Sequence, residues 1–534
     1  MRKIFTNAKV YTAANSSHAE AFVVGENRFL FVGSNEEVQS FVRDVDEVVD
    51  LQGARVIPGM IDTHCHYLAI CAANMGSQIA ISEEASHEEV LEQFRRVAEE
   101  NSIDELPLIS GIGYGIHCKP TAAELDRAVS DRPVLLLDSG GHSGWMNSKM
   151  IELAGIDKTT PDPKPGASFF ARDENGVPTG QIVEVEAMVY VQSKTGLANT
   201  KNLADLWPHM TKTLHSLGYV AAYDAGILFL SEREALEILS SQDSTIQLFT
   251  SFYFNGKRPV DEFLSEMLDL RARYANDWIH PATLKMFKDG TLEVFSALMY
   301  EEYCAPGSGK GEEMLSSELT LAMAKAAAEN GFNVHVHAIG DRAIDETLDV
   351  FDVLGHIEGT KTMAHVQVLP EKGVERFTAC GDVFYQTTPV WLHRDEFTYE
   401  VLGEPRYSRQ MPLRSLAENG VVLCFGSDAP VSGGARGMDP FLNMYSAVCR
   451  GVDSETFIPP LSEGISIEAS IDAYTINAAA QLKAEEEIGS IEAGKKANFV
   501  VLNQDILEID SVDIKTVKPR STWSEGVCVF RSNE

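Results

Sequence analysis

The sequence predicts an α/β fold built on a (β/α)8 TIM barrel. Three observations carry that prediction. Strand-like apolar runs recur eight times through the middle of the chain, helical patterns separate them, and both chain ends have a distinct all-β texture. Repeated strand–helix units imply a parallel sheet, and eight of them imply a closed barrel. A doubly wound open sheet is the alternative use of the same units.

The first strand lies in "ARVIPGMIDTHCH", ending at His66. The others are "GYVAAYD" (218–224), "IQLFTSFYF" (246–254), "ATLKMFKD" (282–289), "FNVHVHA" (332–338), "TKTMAHVQ" (360–367), "DVFYQTTP" (382–389) and "GVVLCFGSDAP" (420–430). Between them, "SSELTLAMAKAAAENG" opens on serines and closes at Asn-Gly, which are helix start and stop signals. "DRAIDETLDVFDVLG" ends at glycine, and "SEREALEILSSQ" and "PVDEFLSEMLDLRARY" carry the same period.

The ends read differently. Residues 1–57 hold short β patterns with a hairpin signal at "GEN", and "NFVVLNQDI" and "GVCVFRS" repeat that texture near the C-terminus. Neither end has enough strands for a sheet of its own. Residues 1–57 and 487–534 are therefore expected to form one composite β-domain. Residues 58–67 and 201–486 form the barrel. The stretch after His66 far exceeds a βα unit of ~30 residues, so residues 68–200 are read as an insertion after the first strand. In a barrel that loop lies on the catalytic face, and the insertion should cap the active site.

Composition narrows the function. The chain has 534 residues and a formal net charge of -35. Acidic residues number 79 against 44 basic ones, which disfavours nucleic acid and anionic membrane surfaces as partners. A small-molecule substrate is expected, and a homo-oligomer stays open. Eight cysteines are scattered without a CxxC pair, as suits a reducing compartment. The N-terminus "MRKIFTNAKVYTA" lacks a signal-peptide apolar stretch and no run of 18 apolar residues occurs, so the expected location is cytoplasmic.

The strand ends carry the chemistry. In a strand, positions i and i+2 share a face, so His64 and His66 project together, with Asp62 in the same register. Two converging neutral imidazoles suit a zinc-like ion; the plain alternative is a polar strand face. Cys65, between them, faces away and is rejected as a nucleophile. Further on, Lys285 and Lys288 end the fourth strand, His335 and His337 the fifth, His365 the sixth, and Asp428 the eighth. Barrel enzymes place catalytic groups at these ends.

With those motifs in view, the chain resembles the amidohydrolase superfamily of metal-dependent hydrolases. The matching stretches are "VIPGMIDTHCH", "VHVHAIGDRAID", "AHVQVLPEKGVERF", "GSDAPV", "YTINAAAQL" and "IGSIEAGKKANFVVL". "GIGY" (111–114), "GHSGWMNS" (141–148), "GVPTGQIVE" (176–184) and "LKMFKDGTL" (284–292) point to the amidohydrolase-3 type branch, which includes N-substituted formamide deformylase. The resemblance implies a distorted barrel with a β-sandwich made by both ends. It implies His64, His66, His337, His365 and Asp428 as metal ligands. It implies Lys285 as a lysine that, when carboxylated on Nζ, bridges two ions. The "HAIGD" match favours His337 over His335. One or two divalent ions per subunit follow, with zinc expected.

The chain also departs from the pattern. Asn498 replaces an aspartate in the β-domain. "SGGH" lacks an acid that many relatives carry, and Val220 replaces a threonine; these last two are placed near the expected pocket. His142, Trp145, Glu184 and Gln386 are candidate substrate-binding residues, with His393 beside Gln386. His142 could equally hold the glycine turn. Lys288 is expected to face a loop, and Arg342 to pair with a nearby carboxylate.

The resulting reading is a hydrolase that cleaves a non-peptide C–N bond in a small amide, N-formyl compound or cyclic amide. Asp428 serves as the general base and then the general acid. A deaminase is the second reading, weakened because "HAIGD" offers no glutamate beside the histidine. A non-catalytic regulatory relative is the third; it would be expected to have lost ligands, and this chain keeps the set.

Overall fold

The computed structural model describes residues 2–14, 18–43, 47–75, 78–82, 85–115, 120–392, 395–431, 436–453 and 456–533. Its centre is an eight-stranded parallel sheet whose spatial order follows the chain. The strands are β1 (Met60–Cys65), β2 (Tyr219–Asp224), β3 (Gln247–Tyr253), β4 (Ile279–Phe287), β5 (Asn333–Ala338), β6 (Lys361–His365), β7 (Val383–Thr387) and β8 (Leu423–Phe425). Each coincides with a run read from the sequence. The four helices named above form as well, at Glu232–Ser240, Val260–Tyr274, Ser317–Ala328 and Asp341–Leu354.

β1 and β8 share no ladder among the described residues. The seam closes just beyond β8 instead. The Asp428 N–H donates to the His64 carbonyl (2.7 Å) and the His66 N–H to the Ala429 carbonyl (2.9 Å). A side chain at Gly426 would collide with the His64 backbone, so only glycine lets the two segments approach this closely. Asp62 belongs to the seam: its carboxylate accepts from the Tyr67 hydroxyl (2.6 Å), the Ser427 N–H (3.0 Å) and the His64 N–H (3.2 Å).

The run read as one first strand is two. Arg55–Pro58 pairs with Phe499–Leu502 in the β-domain, and Met60–Cys65 enters the barrel. Gly59 divides them, packed under the Val220 side chain where a Cβ has no room. Val220 thus lies at the bottom of the barrel, away from the strand ends that carry the site, contrary to its expected place near the pocket.

The two chain ends interleave in one six-stranded sheet, whose central pair joins Arg55–Pro58 to Phe499–Leu502. A four-stranded sheet from the first fifty residues packs on it. Phe5, Phe22, Phe499 and Trp523 fill the space between, with Phe499 and Trp523 stacked at 5.3 Å. Arg55 and Lys9 both pair with Asp505 (2.6 and 2.9 Å), tying the N-terminal strands to the C-terminal segment.

The insertion has its own six-stranded sheet and two apolar cores. "RPVLLLDSGGH" supplies the strand Val134–Asp138 and "SHEEVLEQFRRVAEENS" the helix His87–Glu100, capped by Ser86. The glycine- and proline-rich stretch that follows forms an antiparallel pair, Phe169–Arg172 with Pro178–Val183. Among the described residues, no helix is long and apolar enough to cross a membrane.

Candidate metal centre and active site

β1 ends at Cys65, and His66 follows as the first residue of the turn into the helix Tyr67–Ala72. The two strand-one imidazoles still converge. His64 Nε2 lies 3.5 Å and His66 Nε2 3.4 Å from Asp428 Oδ1. One nitrogen or oxygen from each of these three residues lies within 4.8 Å of the others, and all three are buried. His365 joins from β6, its Nδ1 3.7 Å from Asp428 Oδ2. That nitrogen is buried with no hydrogen-bond partner in the structure, an arrangement that ordinarily costs energy. His66 Nδ1 is likewise buried without a partner. Three imidazoles around a carboxylate, two of them with an orphaned nitrogen, are a donor set that fits a divalent cation.

The other expected ligands surround this group. Lys285 Nζ is 3.5 Å from His64 Nε2 and sits over the Phe287 ring. The His337 ring centroid is 4.4 Å from that of His365, while its Nε2 lies 3.2 Å from the Gly290 carbonyl oxygen. His335 does not reach Asp428. Its Nε2 lies 3.1 Å from His64 Nδ1, where Gln386 Oε1 also sits at 3.1 Å.

Electrostatics favour neutral donors. Burial, then repulsion from Lys285, pushes His64, His335 and His337 well below the usual imidazole pKa; for His365 burial is followed by repulsion from His337. Burial also brings the Lys285 amine down to about 7, against the pull of Asp428. An amine that gives up its proton near neutrality is free to act as a nucleophile or ligand.

Backbone strain gathers at the same place. His365 (φ 71°), Asp428 (φ 49°) and Glu184 (φ 70°) all occupy the left-handed region. Such conformations cost of order 1–3 kcal/mol each and concentrate at functional sites.

The branch-specific motifs, far apart in the chain, meet beside this cluster. His142 Nδ1 and Glu184 Oε2 are 2.5 Å apart. The Ser296 hydroxyl donates to the other oxygen of Glu184. A side chain at Gly290 would occupy the position of Glu184 Oε1. The His142 ring centroid is 6.0 Å from that of His337. Just before "SGGH", Asp138 holds the turn: its Oδ1 accepts the His142 and Ser143 N–H groups at 2.9 Å each. Burial opposes a charge on His142, but Glu184, Asp138 and Glu293 outweigh it and hold its pKa at about 9.

Several expectations change. Trp145 does not face the site; it is fully buried in the insertion core, its indole N–H donating to the Thr121 carbonyl (2.8 Å). Gln386 is fully buried and touches His64, where a substrate contact was expected. Lys288 is buried and pairs with Glu313 (2.8 Å) and Glu346 (2.7 Å). Arg342 pairs with Glu346 (2.7 Å), as expected. His393 lies outside the described residues. Cys65 faces away from the site, with its thiol on the Tyr223 carbonyl (3.2 Å). Sequence reading missed Ser296, which no pattern marks.

The pattern of the Amidohydrolase family matches residues 47–530. Exoenzymes regulatory protein AepA of Pectobacterium carotovorum is 31% identical over 432 residues, covering 79% of this chain and 92% of that protein. N-substituted formamide deformylase of Arthrobacter pascens is 27% identical over 98% of this chain and 97% of its own length. The solved structure of an uncharacterized metal-dependent hydrolase from Pyrococcus horikoshii superposes with a TM-score of 0.75 at 24% identity, covering 96% of this chain and 99% of that one. The chain therefore belongs to the amidohydrolase family.

Proposed function

We propose that the protein is a metal-dependent hydrolase of non-peptide C–N bonds, acting on small amides, N-formyl compounds or cyclic amides. The observation that carries this reading is the place of Asp428. One carboxylate oxygen lies within 3.5 Å of both His64 and His66, and the other faces His365. A divalent cation, with zinc the expected ion, would be held by His64, His66, His365 and Asp428, with His337 and Lys285 at hand. Such an ion supplies Lewis acidity toward a carbonyl and lowers the pKa of water.

The residues of the chain do the rest. Asp428 takes the proton of the attacking water and delivers it to the departing nitrogen, as base and then acid. In balance, water adds its oxygen to the carbonyl carbon, the C–N bond breaks, and the nitrogen leaves with the proton. Gln386 and His335 hold the His64 ring from its Nδ1 side. The full-length similarity to a formamide deformylase supports the N-formyl class. The stretch "HAIGD" places no glutamate beside His337 in the chain, which argues against deamination. The net charge of -35 argues for small-molecule partners, and the free cysteines suit a cytoplasmic location.

The test is turnover. Metal-loaded protein, assayed on a panel of N-formyl, N-acyl and cyclic amides with ammonia release read in parallel, should cleave at least one amide and stop on chelation. Ammonia release from an aminated heterocycle, with every amide intact, would replace this reading with the deaminase.

A further inference from the structure

The insertion touches the barrel at several points, among them Glu186 against Tyr253 and Lys257, and the contact made by Glu184 is more specific than a lid needs. Glu184 sits at the junction between the strand Pro178–Val183 and the helix Val185–Thr195, fully buried and at φ 70°. Its backbone N–H donates to the His142 carbonyl (2.7 Å), while one carboxylate oxygen lies on His142 Nδ1 (2.5 Å). The other oxygen takes the hydroxyl of Ser296, which belongs to the barrel loop after β4. Gly290, in the same loop, leaves the space that the carboxylate fills and offers its carbonyl to His337. Glu184 therefore locks the His142 ring from behind and ties it to the loop that bounds the metal cluster.

With Nδ1 engaged, the ring is free to interact only through its far edge. Nε2 has no hydrogen-bond partner among the described residues, and the side chain keeps 11% of its surface exposed. The ring stands beside His337, with the two ring centroids 6.0 Å apart. A carboxylate that orients an imidazole whose other nitrogen is free is the arrangement used wherever an imidazole must meet a substrate in fixed geometry.

We propose that His142 is the insertion's contribution to the active site, contacting a polar group of the substrate through Nε2, and that Glu184 is its positioning residue. The proposal rests on the amide-hydrolase reading above and deepens it. The insertion thus takes part in binding and turnover, rather than serving only to exclude water. The co-occurrence of "GHSGWMNS", "GVPTGQIVE" and "LKMFKDGTL" in one chain then has a physical cause: the first supplies His142, the second Glu184, and the third the Gly290 space.

The experiment is a mutant cycle on the amide that the wild type cleaves, with metal content and melting temperature measured on each preparation. His142→Ala should retain its metal and lose about 10²-fold in kcat/KM, the usual scale for one lost polar contact to the reacting substrate. Glu184→Ala should lose a similar factor, and the double variant should lose no more than His142→Ala alone, because Glu184 acts through His142. Should Glu184→Ala fail to fold, Glu184→Gln retains the volume and carries the same test: its loss must vanish in the His142→Ala background. Nitrogen NMR of labelled histidine gives a readout independent of turnover, since the His142 signal should change on Glu184 substitution. An active wild type with His142→Ala within about threefold of it overturns the inference and leaves the amidase reading intact. Losses that multiply in the double variant overturn the positioning role. A wild type that cleaves no amide overturns both.

Discussion

His64 Nδ1 lies 3.1 Å from Gln386 Oε1, and His64 Nε2 lies 3.5 Å from Asp428 Oδ1. The ring is thus held at one nitrogen and presented at the other. A side-chain amide from β7 fixes a histidine on β1, and the oxygen it opposes comes from the segment after β8, so strands that adjoin across the seam build one site. Imidazole ligands are ordinarily fixed this way, by a partner on the nitrogen that does not bind the ion.

This geometry makes metal retention depend on the strand-one pair. The His64→Ala, His66→Ala double variant removes two of the three imidazoles gathered at Asp428. It should fold and carry far less metal than the wild type by elemental analysis, because a site needing several protein ligands loses affinity sharply when two go. Undiminished metal in the purified double variant would place the ion elsewhere.

Trp145 separates packing from recognition. Its indole is fully buried among the apolar residues of the insertion and hydrogen-bonds to Thr121. Trp145→Ala should destabilise the protein by about 3–5 kcal/mol, the range for a buried aromatic truncated to alanine. Trp145→Phe should cost less and leave KM for the cleaved amide essentially unchanged. A large rise in KM with an unchanged melting temperature would return Trp145 to the binding site.

The barrel was legible because each strand carries its own apolar run and each helix its own start and stop residues. The grouping of His64, His365 and Asp428 was legible because barrel strands end on one face, so the three could be placed together without coordinates. Local signals end where a residue serves two sheets or two domains. Gly59 turns one extended run into two strands, and only the packing of Val220 against it reveals the break. The contact of His142, Glu184 and Ser296 joins segments 42 and 112 residues apart and leaves no periodicity to read. Trp145 was misplaced because an aromatic next to a glycine-rich loop looks the same in sequence whether it faces a pocket or a core.

In the proposed site, the choice between one ion and two would turn on Lys285. Its amine is buried, lowered to about 7, and 3.5 Å from His64 Nε2. Lysine in that state is neutral over much of the range above pH 7, the form that can take up carbon dioxide. Protein prepared with labelled bicarbonate should show a carbamate carbon signal and two metal equivalents. Lys285→Ala should lose the signal and fall toward one equivalent. Two equivalents in that variant would mean that Lys285 bridges nothing.

Asp428 is the residue proposed to carry the proton transfer, and its replacement is the sharpest test of that mechanism. The residue is held at φ 49° by the seam, its own N–H on the His64 carbonyl and the following residue's carbonyl on the His66 N–H. Because the backbone fixes the side chain, Asp428→Asn should retain the fold and the position of the group. The amide keeps the size and one oxygen for the cluster, yet it cannot accept the proton of the attacking water. General acid–base help is worth about 10²–10⁴-fold, so kcat should fall by at least about a hundredfold with KM little changed. Circular dichroism, metal content and turnover must be read on one preparation, since the same carboxylate is a proposed ligand. Full metal with near-normal turnover would assign the base elsewhere. Full metal with turnover lost would leave proton transfer as the missing step, because the ion, the imidazoles and the seam would all still be in place.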